Sequence, residues 1–487
     1  MRLILFLALV GLFFVACQKT PEQENTVIIL HPLPGALFPR DFRSPLFRWQ
    51  GVKGAQWRLS LNSAEITTTT TFWRPSRKLW ESIKTSSLTT PANFTVTEVK
   101  NEKNRSTVTF STSKDPVGAP LFYREVPLPV IEALNKIEDI RWLLADLSKD
   151  GPPRTVLEKM KTCANCHSFS ADGSTLAMDM DHGGDKGSFL IKDISKTMRL
   201  KPDDMISWSK LYPKSKRKTF GLLATLSPDA RYSVATVEEV IVYQLFLKKY
   251  VPQLFFPVVG HLAVYDRQTK EMKALSGADS QEYVQTNPSF SPSGEKLLFA
   301  RAKAIDTTKF PYPHRMPAME QKGRFVHGKE KFCFDIYELD FNEGKGSKAH
   351  PLKGASKNGK SNYFPRYSPD GKWLVFCQAN RFMLNQPDAT LYIKAVGSDA
   401  PPKKMGCNFA NKMNSWHSFS PNSKWLVFAA KAEGPYTQLW ITHVDENGND
   451  SVPIHLDGSV LEQRAANIPE FVAMDFDDLK AIEADGL

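Results

Sequence analysis

The sequence predicts an all-β protein in which a β-sandwich is followed by a β-propeller of five or six blades. Alternating β-branched and aromatic residues fill the first part of the chain, and a motif of strand, turn and strand recurs five times in the second part. The 33 Pro and 27 Gly residues are scattered over 487 residues, as expected for many short strands joined by turns. A chain of this length predicts two domains, or one large repeat domain with a smaller one.

The N-terminus predicts export and lipid anchoring. Residues 3–14 form an apolar run with the length of a signal-peptide core, too short for a membrane-spanning helix. The run ends in Val-Ala-Cys17, which resembles the bacterial lipobox and implies acylation of Cys17. We therefore expect a signal peptide over residues 1–16, a tether over 17–25 and a membrane-anchored protein of the cell envelope, facing the periplasm or the cell surface. An ordinary signal peptide with a chance cysteine is the alternative.

Residues 26–130 predict the β-sandwich. The runs 46–49, 67–72 and 106–110 are rich in Thr, Val, Phe and Trp and alternate as half-buried strands do. The length fits a sandwich of the immunoglobulin or fibronectin type, although the Cys-Trp-Cys hallmark is absent. A spacer or docking role is the expected function of this domain.

Residues 135–475 predict the propeller. The recurring turns contain Ser170, Ser227, Ser291, Ser368 and Ser420, and one copy, residues 364–375, reads Phe-Pro-Arg-Tyr-Ser-Pro-Asp-Gly-Lys-Trp-Leu-Val. Proline, aspartate and glycine in this order favour a tight turn. The spacings of 52 to 77 residues fit one four-stranded blade for each copy. The motif resembles the WD-type repeat of the TolB propeller family, which implies a propeller over residues 138–460.

Two further segments predict a composite sixth blade. Residues 141–146 read as a strand without a turn motif of its own, and residues 464–471 could return from the end of the chain to the same sheet. The longest insertion, at about 303–330, carries Pro, Lys and His and is expected to be a surface loop.

The motif that carries chemistry is Cys163-Ala-Asn-Cys166-His167. In a Cys-x-x-Cys-His sequence the two thiols form thioethers with the haem vinyl groups, and the histidine is held against the iron. The sequence therefore predicts one covalent haem c. A thioredoxin-like redox pair would favour a βαβ unit, and a zinc site would need a second pair of ligands nearby; neither is evident in the sequence.

The sixth iron ligand has several candidates. Met178 and Met180 lie on one face of the strand after the first turn, and methionine is the usual high-potential partner of histidine. His417-Ser-Phe-Ser repeats His167-Ser-Phe-Ser in the last full copy, and a closed propeller brings its first and last blades together. We take His417 or Met180 as the candidate ligand. Core packing of the methionines and a structural role of His417 are the alternatives, and His182 is expected in a loop.

The other cysteines and a nearby acidic cluster predict structure rather than chemistry. Cys377 could pair with Cys407, or Cys377 could be a buried free thiol, while Cys333 has no evident partner. The acidic residues beside the haem motif are expected to form a solvated loop, since no calcium-loop pattern surrounds them. They are Asp179, Asp181 and Asp185.

Composition and motifs narrow the function. The net charge of +11 is dispersed and no nucleic-acid-binding motif is present, so nucleic acid is not an expected partner. No serine elbow, phosphate-binding loop or zinc-protease motif appears, and a peroxidase-like enzyme would need an open position on the iron. Single-electron transfer to an unidentified redox partner is the leading hypothesis. The resemblance to TolB implies the alternative, a protein-binding or envelope-assembly propeller with a structural or sensory haem.

Overall fold

The computed structural model describes residues 26–484, except for 129–132, 134, 218, 245–252, 312–314, 329 and 459–462. The signal peptide, the tether and Cys17 lie outside this range. No helix in the described part of the chain has the length and apolar character needed to cross a membrane.

The N-terminal domain consists of two sheets and one helix. The three-stranded sheet has the order Ile28–His31, Phe47–Gln50, Phe72–Trp73, and the five-stranded sheet has the order Ala36–Phe38, Asn101–Thr112, Ala92–Glu98, Trp57–Leu61, Ala64–Thr68. The helix Arg77–Ser86 begins after Ser76, whose hydroxyl accepts a hydrogen bond from the Leu79 N–H. Buried Trp80 of this helix packs edge-to-face against Phe38, which fixes the helix on the aromatic core. The sequence analysis did not predict this helix.

The rest of the described chain contains six four-stranded antiparallel sheets, which we call blades 1 to 6, and a two-stranded parallel sheet of Thr197–Arg199 and Ala481–Glu483. Blade 1 contains Leu121–Pro127, Arg141–Ala145, Arg154–Leu157 and, from the end of the chain, Arg464–Phe471; blade 2 contains Ala164–Phe169, Thr175–Met180, Ser188–Asp193 and Met205–Ser207; blade 3 contains Thr225–Leu226, Tyr232–Gln244, Leu254–Asp266 and Met272–Ala274. Blade 4 contains Tyr283–Phe290, Lys296–Lys303, Asp335–Asp340 and His350–Pro351; blade 5 contains Ser361–Tyr367, Trp373–Ala379, Thr390–Ala395 and Lys403–Lys404; blade 6 contains Asn414–Phe419, Trp425–Ala430, Gln438–His443 and Ile454–His455.

The blades are arranged in a ring. The innermost strand of each blade contacts the innermost strand of the next, and Arg464–Phe471 of blade 1 contacts both Asn414–Phe419 of blade 6 and Ala164–Phe169 of blade 2. The sheets themselves stay open, and packing between them makes the ring. This arrangement is a six-bladed β-propeller.

The recurring turns have the structure that their residues predict. In each turn the serine hydroxyl accepts a hydrogen bond from the backbone N–H five residues later, in the pairs Ser170–Thr175, Ser227–Tyr232, Ser291–Lys296, Ser368–Trp373 and Ser420–Trp425. The turn is therefore closed by its own residues, which explains why it is recognisable from the sequence.

Blade 1 joins distant parts of the chain. The two segments assigned to a composite blade, now Arg141–Ala145 and Arg464–Phe471, lie in one sheet, with Leu121–Pro127 hydrogen-bonded between them. Leu121–Pro127 falls inside the range 26–130 that we predicted for the N-terminal domain. It belongs to the propeller instead, because its backbone pairs on both sides with propeller strands.

The N-terminal domain is attached to blades 1 and 6. One hydrophobic core joins its aromatic residues to the buried faces of these two blades. Asp115, after the last strand of the domain, accepts hydrogen bonds from Trp425 Nε1 at 3.2 Å through its carbonyl and from His443 Nε2 at 2.8 Å through its carboxylate. The domain therefore rests on the point where the ring is closed.

Blade 3 extends beyond the ring. Its two middle strands, Tyr232–Gln244 and Leu254–Asp266, have 13 residues each and pair as far as Gln244 and Leu254. The segment after blade 4's second strand packs on this hairpin: Met316 N donates to the Ile241 carbonyl at 3.1 Å, and this segment includes the helix Ala318–Gln321 and the π-helix Lys322–Val326. We predicted a surface loop at 303–330, but its apolar residues cover the hairpin and Phe325 is buried.

Candidate functional site

The innermost strands of five blades contain a bulge within the strand. Pairing with the second strand of the blade is interrupted at residues 287–288 in blade 4, 364–365 in blade 5, 416–417 in blade 6 and 468–469 in blade 1. The first residue of each bulge has a positive φ, with values of 54°, 53°, 48° and 53°. In blade 2 the interruption falls at residues 165–166.

A cavity of about 500 Å³ lies beside the bulges of three blades. Bulge residues Cys166 of blade 2, Trp416 of blade 6 and Ile468 of blade 1 border it, together with Leu223, which precedes the first strand of blade 3. The extended hairpin of blade 3 forms one wall through Tyr243 and Phe256, with Arg315 from the covering segment. The volume falls within the roughly 300–1,000 Å³ typical of sites for cofactors and small ligands.

Both cysteines of the haem motif border this cavity. Cys163 lies just before the strand Ala164–Phe169, and its carbonyl accepts a hydrogen bond from Asp181 N at 2.8 Å. Neither cysteine forms a disulfide in the structure. Burial raises the pKa of the Cys166 thiol, and the neighbouring Asp179 carboxylate adds to this shift, so the thiol form is favoured.

His167 lies behind the cavity wall. Cys166 borders the cavity, whereas the His167 ring packs edge-to-face on Phe122, with ring centroids 4.7 Å apart. Neither ring nitrogen has a hydrogen-bond partner among the described residues; the Ile468 backbone is near enough to affect the pKa but does not complete a bond. Burial lowers the pKa of His167 to about 3. The imidazole is therefore neutral, and both of its nitrogens are buried without a partner, which is unfavourable.

Charged and titratable groups lie at and near the cavity wall. Lys186 forms an ion pair with Asp181, and Asp179 lies beside Cys166 and Glu239. Burial raises the pKa of Glu239 to about 8, although its carboxyl group accepts hydrogen bonds from two backbone N–H groups at 3.0 Å. Arg124, from blade 1, borders the cavity without forming an ion pair with any described residue.

The candidates for the sixth iron ligand occupy different positions relative to the cavity. Met180 borders the cavity, whereas Met178 is fully buried opposite His167 in the ladder. His417 does not border the cavity: its Nε2 lies 3.1 Å from the Val375 carbonyl and its Nδ1 lies 3.8 Å from Cys377 Sγ. These contacts match the structural role that was the alternative for His417. His182 lies in the turn after Thr175–Met180.

The remaining sequence-predicted features have structural roles. Cys377 and Cys407 are both buried and unpaired, so the suggested disulfide is wrong and the free-thiol alternative applies; Cys377 Sγ lies 3.3 Å from Ser415 Oγ. Asp185 accepts hydrogen bonds from the Ser207 and Ser209 hydroxyls, so this carboxylate braces a turn. In the described ranges no three His, Cys, Asp or Glu residues are grouped to hold a metal ion, and a haem site requires no such group.

Two parts of the site were missed by sequence reasoning. The extended hairpin had a signal, because residues 240–243 and 254–259 are apolar runs and the interval from Ser227 to Ser291 exceeds that of a compact blade. Arg124 had no such signal. It lies 39 residues before Cys163 in the sequence, and only the closure of the ring brings the two together.

Comparison with known proteins finds solved structures that are similar to this chain in fold. No protein-family model and no curated protein matches the chain. TolB from Acinetobacter baumannii is 13% identical with a TM-score of 0.42, over 78% of this chain and 79% of that one. A structure described as TolB from Agrobacterium tumefaciens is 12% identical with a TM-score of 0.37, over 73% and 99% of the two chains. An oligogalacturonate lyase in complex with manganese is 15% identical with a TM-score of 0.38, over 63% and 70%. The fold assignment itself rests on the ring of six blades.

Proposed function

We propose that this chain is an exported, lipid-anchored monohaem cytochrome c built on a TolB-like propeller, and that it transfers single electrons in the cell envelope. The observation that carries the proposal is that Cys163 and Cys166 border one cavity of cofactor size, while the adjacent His167 is buried with both nitrogens unpartnered among the described residues. Each of the three residues of the motif therefore supplies a group that the attachment of haem would use.

The residues at the site fit haem c in chemistry. Cys163 and Cys166 would hold the macrocycle through two thioether bonds, and His167 would bind the iron through a ring nitrogen. Haem supplies one-electron redox chemistry, and the chain supplies ligation, burial and docking. Because His167 now faces Phe122, ligation requires its imidazole to turn towards the cavity. An iron bond would satisfy one of the two unpartnered nitrogens, and this gain favours the turn.

Met180 is the better placed of the two sixth-ligand candidates. It borders the cavity with the two cysteines, whereas His417 is engaged by Val375. Thioether ligation opposite histidine raises the reduction potential. A six-coordinate iron also favours electron transfer over peroxidase chemistry, which needs an open position.

The proposal places the protein on a membrane surface. Acylation of Cys17 would anchor it, and residues 17–25 would form the tether between lipid and fold. The N-terminal domain, packed on blades 1 and 6, would act as a spacer of the immunoglobulin-like type. The donor or acceptor of electrons would be an unidentified envelope protein that docks at the mouth of the channel.

The test is expression of the full chain in a host that attaches c-type haem, followed by a pyridine haemochrome spectrum and a haem stain of the denatured protein. We expect one covalent haem for each chain and a low-spin reduced spectrum. The double variant Cys163→Ala/Cys166→Ala should lose the haem. Cys333→Ala is the matched control, since Cys333 is a partly exposed free thiol away from the cavity, and it should keep the haem.

Two results would contradict the proposal. Wild-type protein without haem from the maturation-competent host would leave a TolB-like propeller with an unused cysteine pair. Covalent haem that persists in Cys163→Ala/Cys166→Ala would place the attachment elsewhere in the chain. A high-spin reduced spectrum in haem-bearing protein would instead keep the haem and replace electron transfer with ligand binding.

A further inference from the structure

The cavity contains a guanidinium without a partner. Arg124 borders it, and no carboxylate in the described part of the chain forms an ion pair with this arginine. Among the described residues its ring contact is with Trp142, whose centroid lies 5.6 Å from the guanidinium carbon. Burial lowers the pKa of Arg124, and the sulfur groups of Cys163 and Cys166 act against this shift when ionised. A cation enclosed by protein is unfavourable unless an anion compensates it.

The other charges of the cavity do not provide that compensation. Lys186 and Asp181 neutralise each other. Arg315, on the opposite wall, stacks on Tyr243 at 5.5 Å and adds a second positive charge. Asp179 also borders the cavity, and burial raises its pKa well above the usual value, which favours its neutral form. Three basic and two acidic side chains of the described residues thus border the cavity, and this excess of positive charge is complementary to an anionic ligand.

A second donor stands beside Arg124. Asn467, on the innermost strand of blade 1, is the direct ladder partner of Arg124 and also borders the cavity. Its Oδ1 accepts a hydrogen bond from the Thr437 hydroxyl at 2.9 Å, which leaves the amide nitrogen as a donor. Side chains of directly paired strand residues lie roughly 5 Å apart on one face, so the guanidinium and the amide can bind the same group.

We propose that Arg124 and Asn467 form a binding site for a carboxylate or a similar small anion in this cavity. A guanidinium offers two parallel N–H groups to a planar anion, and Asn467 adds a third. The anion has two possible sources: a propionate of the bound haem, or a separate small molecule that shares the cavity with it. The first source rests on the proposed haem, whereas the site itself does not.

The experiment uses the full chain made without haem maturation and measures formate binding by titration calorimetry in a low-chloride buffer. Arg124→Gln should weaken formate binding at least tenfold. Asn467→Asp should abolish it, because the new carboxylate would pair with Arg124 and occupy the site. Arg199→Gln is the control, since it removes one positive charge from an exposed pair with Glu483 and should leave binding unchanged.

The haem-bearing chain then separates the two sources. Formate that still binds, and that still requires Arg124, identifies a separate anion beside the haem. Binding that disappears on haem attachment identifies the haem itself, through a propionate, as the natural occupant. The absence of formate binding in the haem-free wild-type chain, or equal binding by Arg124→Gln, would overturn the site. A wild-type chain that takes no haem contradicts the proposed function but leaves the haem-free measurement intact.

Discussion

We expect the substitution Glu125→Gln to destabilise the closure of the propeller strongly. Glu125 lies on the middle strand of blade 1 that connects Arg141–Ala145 with the returning C-terminal strand. Arg141 Nη2 donates to its two carboxylate oxygens at 2.8 and 3.0 Å, and Arg464 contacts the same carboxylate. One buried charge therefore links three strands, two of which are more than 300 residues apart in the sequence.

The size of the effect follows from burial. The Glu125 side chain is 1% exposed, and those of Arg141 and Arg464 are 22% and 17% exposed. Glutamine keeps the shape of the side chain but leaves two guanidinium groups without a counter-charge. Removing one partner of a buried ion pair costs about 3–5 kcal/mol. The exposed pair of Glu102 with Arg58 provides a control, because such pairs contribute about 1 kcal/mol or less and its side chains are 69% and 43% exposed.

The assay is urea unfolding at pH 7, followed by tryptophan fluorescence and far-ultraviolet circular dichroism. Glu125→Gln should lower the free energy of unfolding by several kcal/mol, and Glu102→Gln should leave it nearly unchanged. A loss below about 1 kcal/mol for Glu125→Gln would refute the reasoning, since it would show that water or repacking solvates the two arginines. A change in the slope of unfolding free energy against urea concentration would instead indicate a change in the surface exposed on unfolding.

Three further predictions concern the site and its surroundings. In haem-bearing protein Met180→Ala should convert the low-spin reduced spectrum to a high-spin one, whereas His417→Gln should leave it low-spin; the opposite pattern would make His417 the ligand. Burial lowers the pKa of His417 to about 3, so its contribution to stability is full above its unfolded pKa and is lost as the pH falls from there towards 3. Between these two pKa values, His417→Gln should reduce the change in unfolding free energy with pH by up to about 1.4 kcal/mol per pH unit. An unchanged dependence on pH would contradict the burial argument. Cys377 and Cys407 should resist alkylation in the native state and both react after unfolding without reductant, whereas protection that requires a reductant to remove would indicate a disulfide.

Local chemistry made the turns predictable from the sequence. A turn closed by a serine hydroxyl and the N–H five residues later involves one short segment, so its signal is complete in the sequence. The sixth blade was also recognisable, because the five turn motifs account for five blades and the predicted strand at 141–146 belongs to none of them. The strand Leu121–Pro127 was assigned to the wrong domain, because its alternation suits either a sandwich or a blade. Only the pairing with Arg464–Phe471, a long-range contact, decides between them.

His417 shows that a matching motif predicts the position of a residue along the strand but not the direction of its side chain. The matching sequences at His167 and His417 correctly indicate the same level of the ring, since both follow a bulge residue that borders the cavity. The orientation was not predictable, because a shift of one residue turns a strand side chain to the opposite face. Trp416 thus faces the cavity and His417 faces Val375. Cys166 likewise borders the cavity, and the His167 ring packs on Phe122 behind it.

The bulge explains how a haem motif can occupy a propeller strand. In blades 4, 5, 6 and 1 the first bulge residue adopts a positive φ although none of these residues is glycine, so the ring imposes the bulge despite its local cost. In blade 2 the bulged residues are Asn165 and Cys166, between the ladder pairs of Ala164 with Met180 and His167 with Met178. Bulged residues lie outside the regular ladder pairing. With the proposed haem attached, a rearrangement of Asn165 and Cys166 that brings His167 towards the cavity would break no ladder pair of these two residues.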